Sequence, residues 1–189
     1  MVFDKSVFST FSYPFAFHKD SLVSFLSALS LLILGSFLSV AWHPVPVTFQ
    51  PEAALLIALF YNKSIAQKVF LTYITAGAIG LPVFANGMAG IPVLFGITGG
   101  YLLGMFMAIT LIGTLKNSFI KFFKSKALAF ILLVIMGNAI IFSFGVVGLT
   151  NFASTLYAIN IGFTSFLLPT ILKSLVIGVA YYRYVKSFT

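Results

Sequence analysis

Apolar runs long enough to cross a bilayer succeed one another along most of this chain, and nearly all of its charge falls between them. A helical crossing needs roughly 20 apolar residues. Six stretches supply them: 22–41, 45–61, 64–83, 91–115, 127–148 and 156–184. The runs are continuous rather than alternating, which argues against the strands of a membrane barrel. With 60% hydrophobic and 7% charged residues and a mean hydropathy of +1.11, the chain has too little polar surface for water. Residues 1–189 read as one all-α integral membrane domain, a bundle of about six transmembrane helices, with 1–21 as a cytoplasmic or interfacial segment.

Ten of the eleven Lys and Arg residues lie in segments that six crossings place on one side. These are Lys5 and Lys19, Lys63 and Lys68, Lys116, Lys121, Lys124 and Lys126, then Arg183 and Lys186. The opposite loops, around His43, Asn86 and Asn151, carry neither Lys nor Arg. The positive-inside rule then puts both termini in the cytoplasm of a cell (inner) membrane protein. The net charge of +8 is read as anchoring at the bilayer, with no nucleic acid implied. The 116–126 loop serves as the main topology determinant, with anionic lipid as a further partner.

The first twenty residues, interrupted by Asp4, Pro14, Lys19 and Asp20, do not make a signal peptide. Phe3, Phe8, Phe11 and Phe15 read either as an interfacial segment or as a tail. There is no cysteine, and His18 and His43 fall on opposite membrane sides, so neither a metal site nor a cofactor is expected. Separated histidines without paired acids also argue against an enzyme.

Four places depart from plain apolar helix. Pro44, Pro46 and Pro51 stiffen the backbone after the first run, and a second helix is expected to start near Pro51 with Glu52 in its first turn. That segment is either a rigid outer turn or a means of presenting Gln50 and Glu52 to a cavity. The Gly-rich stretch 77–90, with Asn86 and Gly87, suits a loop able to fold over a ligand. Gly96, Gly100 and Gly104 repeat at four-residue spacing, with Gly99 and Tyr101 beside them. This reads as a helix-packing ridge or as room for a flat ligand.

The fourth place is Lys173, about ten residues and roughly 15 Å of helix before Arg183. Snorkelling does not easily account for it, and an intramembrane charge usually faces the bundle interior with a partner. Asp4 and Asp20 belong to the tail, leaving Glu52 as the candidate counter-ion. Thr170 shares its face at i−3, and Pro169 frees the carbonyl of Ser165. Lys173 therefore serves an anionic ligand or makes a structural pair with Glu52.

Together these stretches resemble the BioY family, the biotin-specific S components of energy-coupling-factor (ECF) transporters. The resemblance rests on Pro44-Val45-Pro46-Val47-Thr48-Phe49-Gln50, Gly80-Leu81-Pro82-Val83-Phe84, Gly99-Gly100-Tyr101-Leu102-Leu103-Gly104 and Leu172-Lys173. It implies a six-helix fold with biotin held near the outer face. It also implies partners: a transmembrane coupling subunit carrying two ATPases, on which the S component topples to release the vitamin inside. The chain itself contains no phosphate-binding G-x-x-x-x-G-K-[ST] loop.

Two departures bear on that expectation. Where the family commonly has Asp three residues before the final Lys, this chain has Thr170, so the ureido acceptor passes to Thr170 or Glu52. The small residues of the first helix that would meet the coupling subunit are a weak set, Ser24 with Ala28 and Ser27 with Leu31 and Gly35. In the fifth run, Met136-Gly137-Asn138 keeps the family's glycine, with Phe142 in place of Tyr. The candidate binding set is Gln50, Glu52, Phe84, Asn86, Gly87, Gly99, Gly100, Tyr101, Asn138, Thr170 and Lys173, with 84–90 as lid. The alternative is a transporter component for a different vitamin or small organic anion.

Overall fold

The structure, a computed structural model, describes residues 21–40, 45–164 and 166–174. The N-terminal aromatic segment, His43, Pro44, the Ser165 carbonyl and the C-terminal basic residues lie outside them. Helix α1 (Ser21–Phe37) runs into a strand β1 (Ser39–Val40), which pairs antiparallel with β2 (Val47–Thr48) in the register Ser39 to Thr48 and Val40 to Val47. A further bond, Phe49 N to Leu38 O at 2.9 Å, carries the ladder to the start of the next helix. The proline-rich turn is thus closed by a short hairpin. Pro46 stands just before β2, where its fixed φ suits extended backbone.

Helix α2 (Gln50–Phe60) begins with Pro51 in its first turn, where the missing N–H is no loss. At 11 residues it is only about 16 Å long, and it lies inside the bundle with Ala53, Ala54, Leu55, Ile57, Ala58 and Leu59 buried. Helix α3 (Lys63–Ala78) follows at once, capped by Asn62, whose Oδ1 accepts from Ser64 N at 3.2 Å. The loop after it contains a 3₁₀ turn (Ala85–Gly87) and positive φ at Gly80, Asn86, Gly87 and Gly90. Then come α4 (Ile91–Phe95), α5 (Gly99–Phe122), α6 (Lys126–Leu149) and α7 (Thr155–Ile159). A π-helical turn (Asn160–Thr164) and α8 (166–174) complete the described chain.

Among the described residues, three helices are long and apolar enough to cross a membrane: Gly99–Phe122, Ala127–Leu149 and Thr155–Ser174; α1 and α2 are shorter apolar helices. The expected run 91–115 is broken between Phe95 and Gly99. A Cβ on Gly99 would sit 1.9 Å from Leu94 O, so the chain turns there only because that residue is glycine. Gly96 therefore ends α4 and does not belong to a continuous ridge. Gly100 and Gly104 do form one. Their Cβ atoms would fall 2.5 Å from Phe144 O and 2.9 Å from Ile141 Cα, so α5 and α6 meet backbone to backbone.

Two expectations about charge and contact change. Lys116 is inside α5 and buried, and the α5–α6 connection is only 123–125, so Lys116 is not part of a basic loop. In α1, Ser24 and Ala28 are buried, and a Cβ on Gly35 would approach Ala53 Cβ to 2.8 Å. Ser24, Ala28 and Gly35 thus pack inward, while Ser27 and Leu31 are half-buried.

Replacing Gly104 with Leu forces a side chain into the α5–α6 seam. The expected outcome is a loss of about 1–3 kcal/mol, seen as a lower melting temperature in detergent. An unchanged melting temperature contradicts the close approach.

Candidate ligand-binding site

The centre of the site is an ion pair between α8 and the start of α2. Lys173 Nζ, on α8, lies 2.8 Å from Glu52 Oε1 and 2.9 Å from Oε2. It also donates to Thr48 O at 2.8 Å and sits 5.4 Å from the centre of the Phe49 ring. Glu52 is 2% exposed and Lys173 11%. The start of α2 explains how the carboxylate comes to be there. The N-terminal turn leaves backbone N–H groups free and favours an acid. Phe49 supplies no side-chain cap, while Thr48 Oγ1 accepts from Gln50 N at 3.3 Å.

Beside this pair lies an open-mouthed cavity, and Lys173 is one of its lining residues. Its polar lining comes from Thr48, Gln50, Thr98, Tyr101, Thr170 and Lys173, and its apolar walls include Val45, Phe84, Met88, Met105, Phe142 and Phe166. Gln50 is buried in the cavity wall, with its side chain beside the Tyr73 hydroxyl.

Glycines seat the aromatic walls. The Tyr101 ring lies against Gly145, where a Cβ would come within 2.3 Å of it, and Tyr101 Oη donates to Gly162 O at 2.8 Å. That carbonyl belongs to the π-helical turn. Phe166 packs on both Tyr101 and Phe142, with ring centres 6.0 and 6.1 Å away. On the opposite side the Phe84 ring covers Gly77, where a Cβ would fall 2.1 Å from it, and meets Tyr73 edge-on at 5.4 Å.

The loop carrying Phe84 is tied down at several points. Val83 O accepts from Ser36 Oγ at 2.6 Å and from Tyr73 Oη at 3.0 Å. Gly90 N donates to Gly77 O at 2.7 Å. Asn86, at φ 57°, accepts on Oδ1 from Ser39 Oγ at 2.6 Å. Its carbonyl oxygen is thus engaged in holding the loop to β1.

Of the candidate set, the structure brings Gln50, Phe84, Tyr101, Thr170 and Lys173 to the cavity wall, with Glu52 behind Lys173. Asn86 and Gly87 lie in the loop beside the lining residues Ala85 and Met88. Gly99 and Gly100 hold the α4–α5 break and the α5–α6 seam, and their neighbours Thr98 and Tyr101 face the cavity. Asn138, buried on α6, donates through Nδ2 to Val134 O at 3.1 Å, leaves Oδ1 unpartnered, and is not among the lining residues. Sequence reasoning missed Phe166, Thr48 and Met88 as walls. Phe166 was within reach, since 166, 170 and 173 share one helix face by spacing.

This arrangement can be set beside known proteins. The BioY family model matches residues 10–189. The chain belongs to the BioY family. The biotin transporter BioY of Thermotoga maritima is 34% identical over 151 residues, covering 78% of this chain and 85% of the relative. Biotin transporter BioY2 of Lactococcus lactis subsp. cremoris is 32% identical over 163 residues, covering 82% and 87%. In three dimensions, this BioY chain matches a crystal structure of the S-component for biotin from an ECF-type ABC transporter with a TM-score of 0.75 and 21% identity, over 88% of this chain and 90% of that one. That likeness shows a shared fold.

Breaking a buried pair from one side leaves an uncompensated charge, at about 3–5 kcal/mol. Lys173→Met and Glu52→Met should each lower the melting temperature, while the double variant Lys173→Met/Glu52→Met recovers most of the loss. Additive losses in the double variant contradict the pairing.

Proposed function

We propose that this chain is the biotin-capturing membrane component of a vitamin uptake transporter, taking biotin from the outer face for ATP-driven import by partner subunits. The observation that carries the reading is the cavity itself: aromatic walls over a floor that combines a buried Lys–Glu pair with the Gln50 amide and the Thr170 hydroxyl. Biotin is amphiphilic, with a fused ureido–thiophane ring and a valerate tail ending in carboxylate. Phe84, Tyr101, Phe142 and Phe166 suit the ring system and chain, and the polar floor suits groups that both donate and accept.

In this reading Lys173, Gln50 and Thr170 are the polar contacts, and Glu52 holds Lys173 in place. Thr170 offers a hydroxyl to the ligand, and Glu52 supplies the carboxylate from α2. Asn86 contributes through the loop, by its bond to Ser39. The segment 84–90 acts as the lid, opening at that exposed bond and at the Phe84 seat. The chain works as a single domain with about six crossings, both termini in the cytoplasm and a place in the cell membrane. It docks on a coupling transmembrane subunit that carries two ATPases. The named biotin transporters among its relatives support the ligand. Capture and release need no chemistry on the ligand, so the reading is of a binding subunit and not an enzyme.

Labelled biotin should bind the purified protein in detergent with a Kd on the order of nanomolar, about −12 kcal/mol. Unlabelled biotin should displace it and riboflavin should not. Lys173→Met should weaken binding roughly 100-fold, about 2.7 kcal/mol. No binding by folded protein would sink the biotin assignment and favour another vitamin. Ser39→Ala should raise the biotin dissociation rate severalfold by freeing the loop, a change read by filter-binding kinetics. An unaltered rate would contradict the role given to that bond.

A further inference from the structure

Lys116 is, beside Lys173, a second lysine held inside the bundle among the described residues, at 6% exposure, and the ligand site does not use it directly. It reaches from α5 to the far end of α2. Its ammonium donates to Ala58 O at 3.0 Å, to Leu59 O at 3.2 Å and to Tyr61 O. Ala58 and Leu59 are among the last residues of α2, whose carbonyls have no partner further along the helix. A cation there also answers the negative end of the helix dipole. Tyr61 lies beyond the helix end, so the one ammonium spans the end of α2 and the two-residue junction to α3. The same junction is held on its other side by Tyr61 Oη and Ser27 Oγ, 3.1 Å apart, which joins it to α1.

Helix α2 is therefore gripped by a lysine at each end. Lys173 takes Thr48 O and Glu52 at the start, and Lys116 takes three carbonyls about 16 Å away at the finish. Everything α2 contributes to the cavity, Gln50 and Pro51 in the wall and Glu52 behind Lys173, lies at the start. Between the two ends its side chains, Ala53 to Leu59, are all apolar, with Leu55 seated over Gly137. The polar anchors of α2 therefore lie at its two ends.

We propose that Lys116 is a positioning residue of the ligand site: by anchoring the C-terminal end of α2 it fixes the axial register in which Gln50 and Glu52 meet the cavity. The proposal rests on the cavity being the ligand site and goes beyond the identity of the ligand. It also gives the cytoplasmic side of the bundle a handle on the cavity. Any displacement of the α2–α3 junction is transmitted along a short, stiff helix to the binding groups.

The natural chain has no cysteine, so one introduced thiol reports cleanly. Gln50→Cys provides the reporter at the cavity, and Ala129→Cys, buried on α6, reports general loosening. The rate of modification by a small methanethiosulfonate reagent is measured in each, with and without Lys116→Met. The expected result is a rate at position 50 raised about tenfold or more, with position 129 little changed. Lys116→Arg, which keeps the charge and several donors, should restore the slow rate at position 50. If the Met variant does not fold, Lys116→Gln, which keeps two N–H donors without the charge, is measured in the same way.

An unchanged rate at position 50, or equal increases at both positions, overturns the proposal. In the chain without introduced cysteines, Lys116→Met should also weaken biotin binding about tenfold, and the effect should shrink in a Glu52→Gln background. Additive effects there would contradict action through α2. If the natural chain binds no biotin, the assignment of ligand fails, and the thiol rates still decide the positioning role.

Discussion

The buried contact between Lys173 and Glu52 is the constraint on which the rest of the site depends. It joins α8 to the start of α2 and places a donor and an acceptor together in an otherwise apolar interior. Neither charge is stable there alone. Together they neutralise each other and hold α8 against the start of α2, with Thr48 O as a third ligand of the ammonium. Since β2 delivers Thr48 and leads straight into α2, the short hairpin and the proline-rich turn before it are part of the same construction.

The aromatic walls follow a second rule, in which each ring is given a glycine to lie on. Tyr101 rests on Gly145 and Phe84 on Gly77. With no Cβ below, the rings approach the backbone closely and are fixed in direction, and Tyr101 is further held by its bond to Gly162 O. A membrane interior gives little hydrophobic drive for helices to associate, so close packing and hydrogen bonds must do most of the work. The α5–α6 seam through Gly100 and Gly104 shows the first of these, and the capture of α2's final carbonyls by Lys116 shows the second.

Much of this was legible in the sequence, for physical reasons that apply to particular residues. A lysine inside an apolar run is unfavourable enough to demand an acid, and with two of the three acids in the tail only Glu52 remained. Pro51 and Glu52 marked the start of α2 because only a first turn accepts both. The glycines of 99–104 announced close packing but not the break before Gly99, because spacing alone cannot distinguish a ridge from a corner. Lys116 was read as a loop charge, since counting lysines near the ends of apolar runs says nothing about which of them turn inward. Asn86 was placed in the right loop, yet its use of Ser39 depends on a hairpin that two-residue strands do not announce. The walls Phe142 and Phe166 were hidden by abundance: in a chain with 23 phenylalanines, identity alone does not mark which ones face a cavity.

The central claim is that the α2–α8 ion pair organises a biotin site, and ligand-induced stabilisation tests it most directly. The melting temperature of the detergent-purified protein is measured with and without saturating biotin, for the natural chain and for Lys173→Met/Glu52→Met. A ligand at about 1,000 times its Kd adds roughly 4 kcal/mol to the folded state. The natural chain should therefore melt several degrees higher with biotin, while the double variant, folded and free of stranded charge, should show a much smaller shift. An equal shift in both proteins would contradict the claim, because the site would then bind its ligand without the pair.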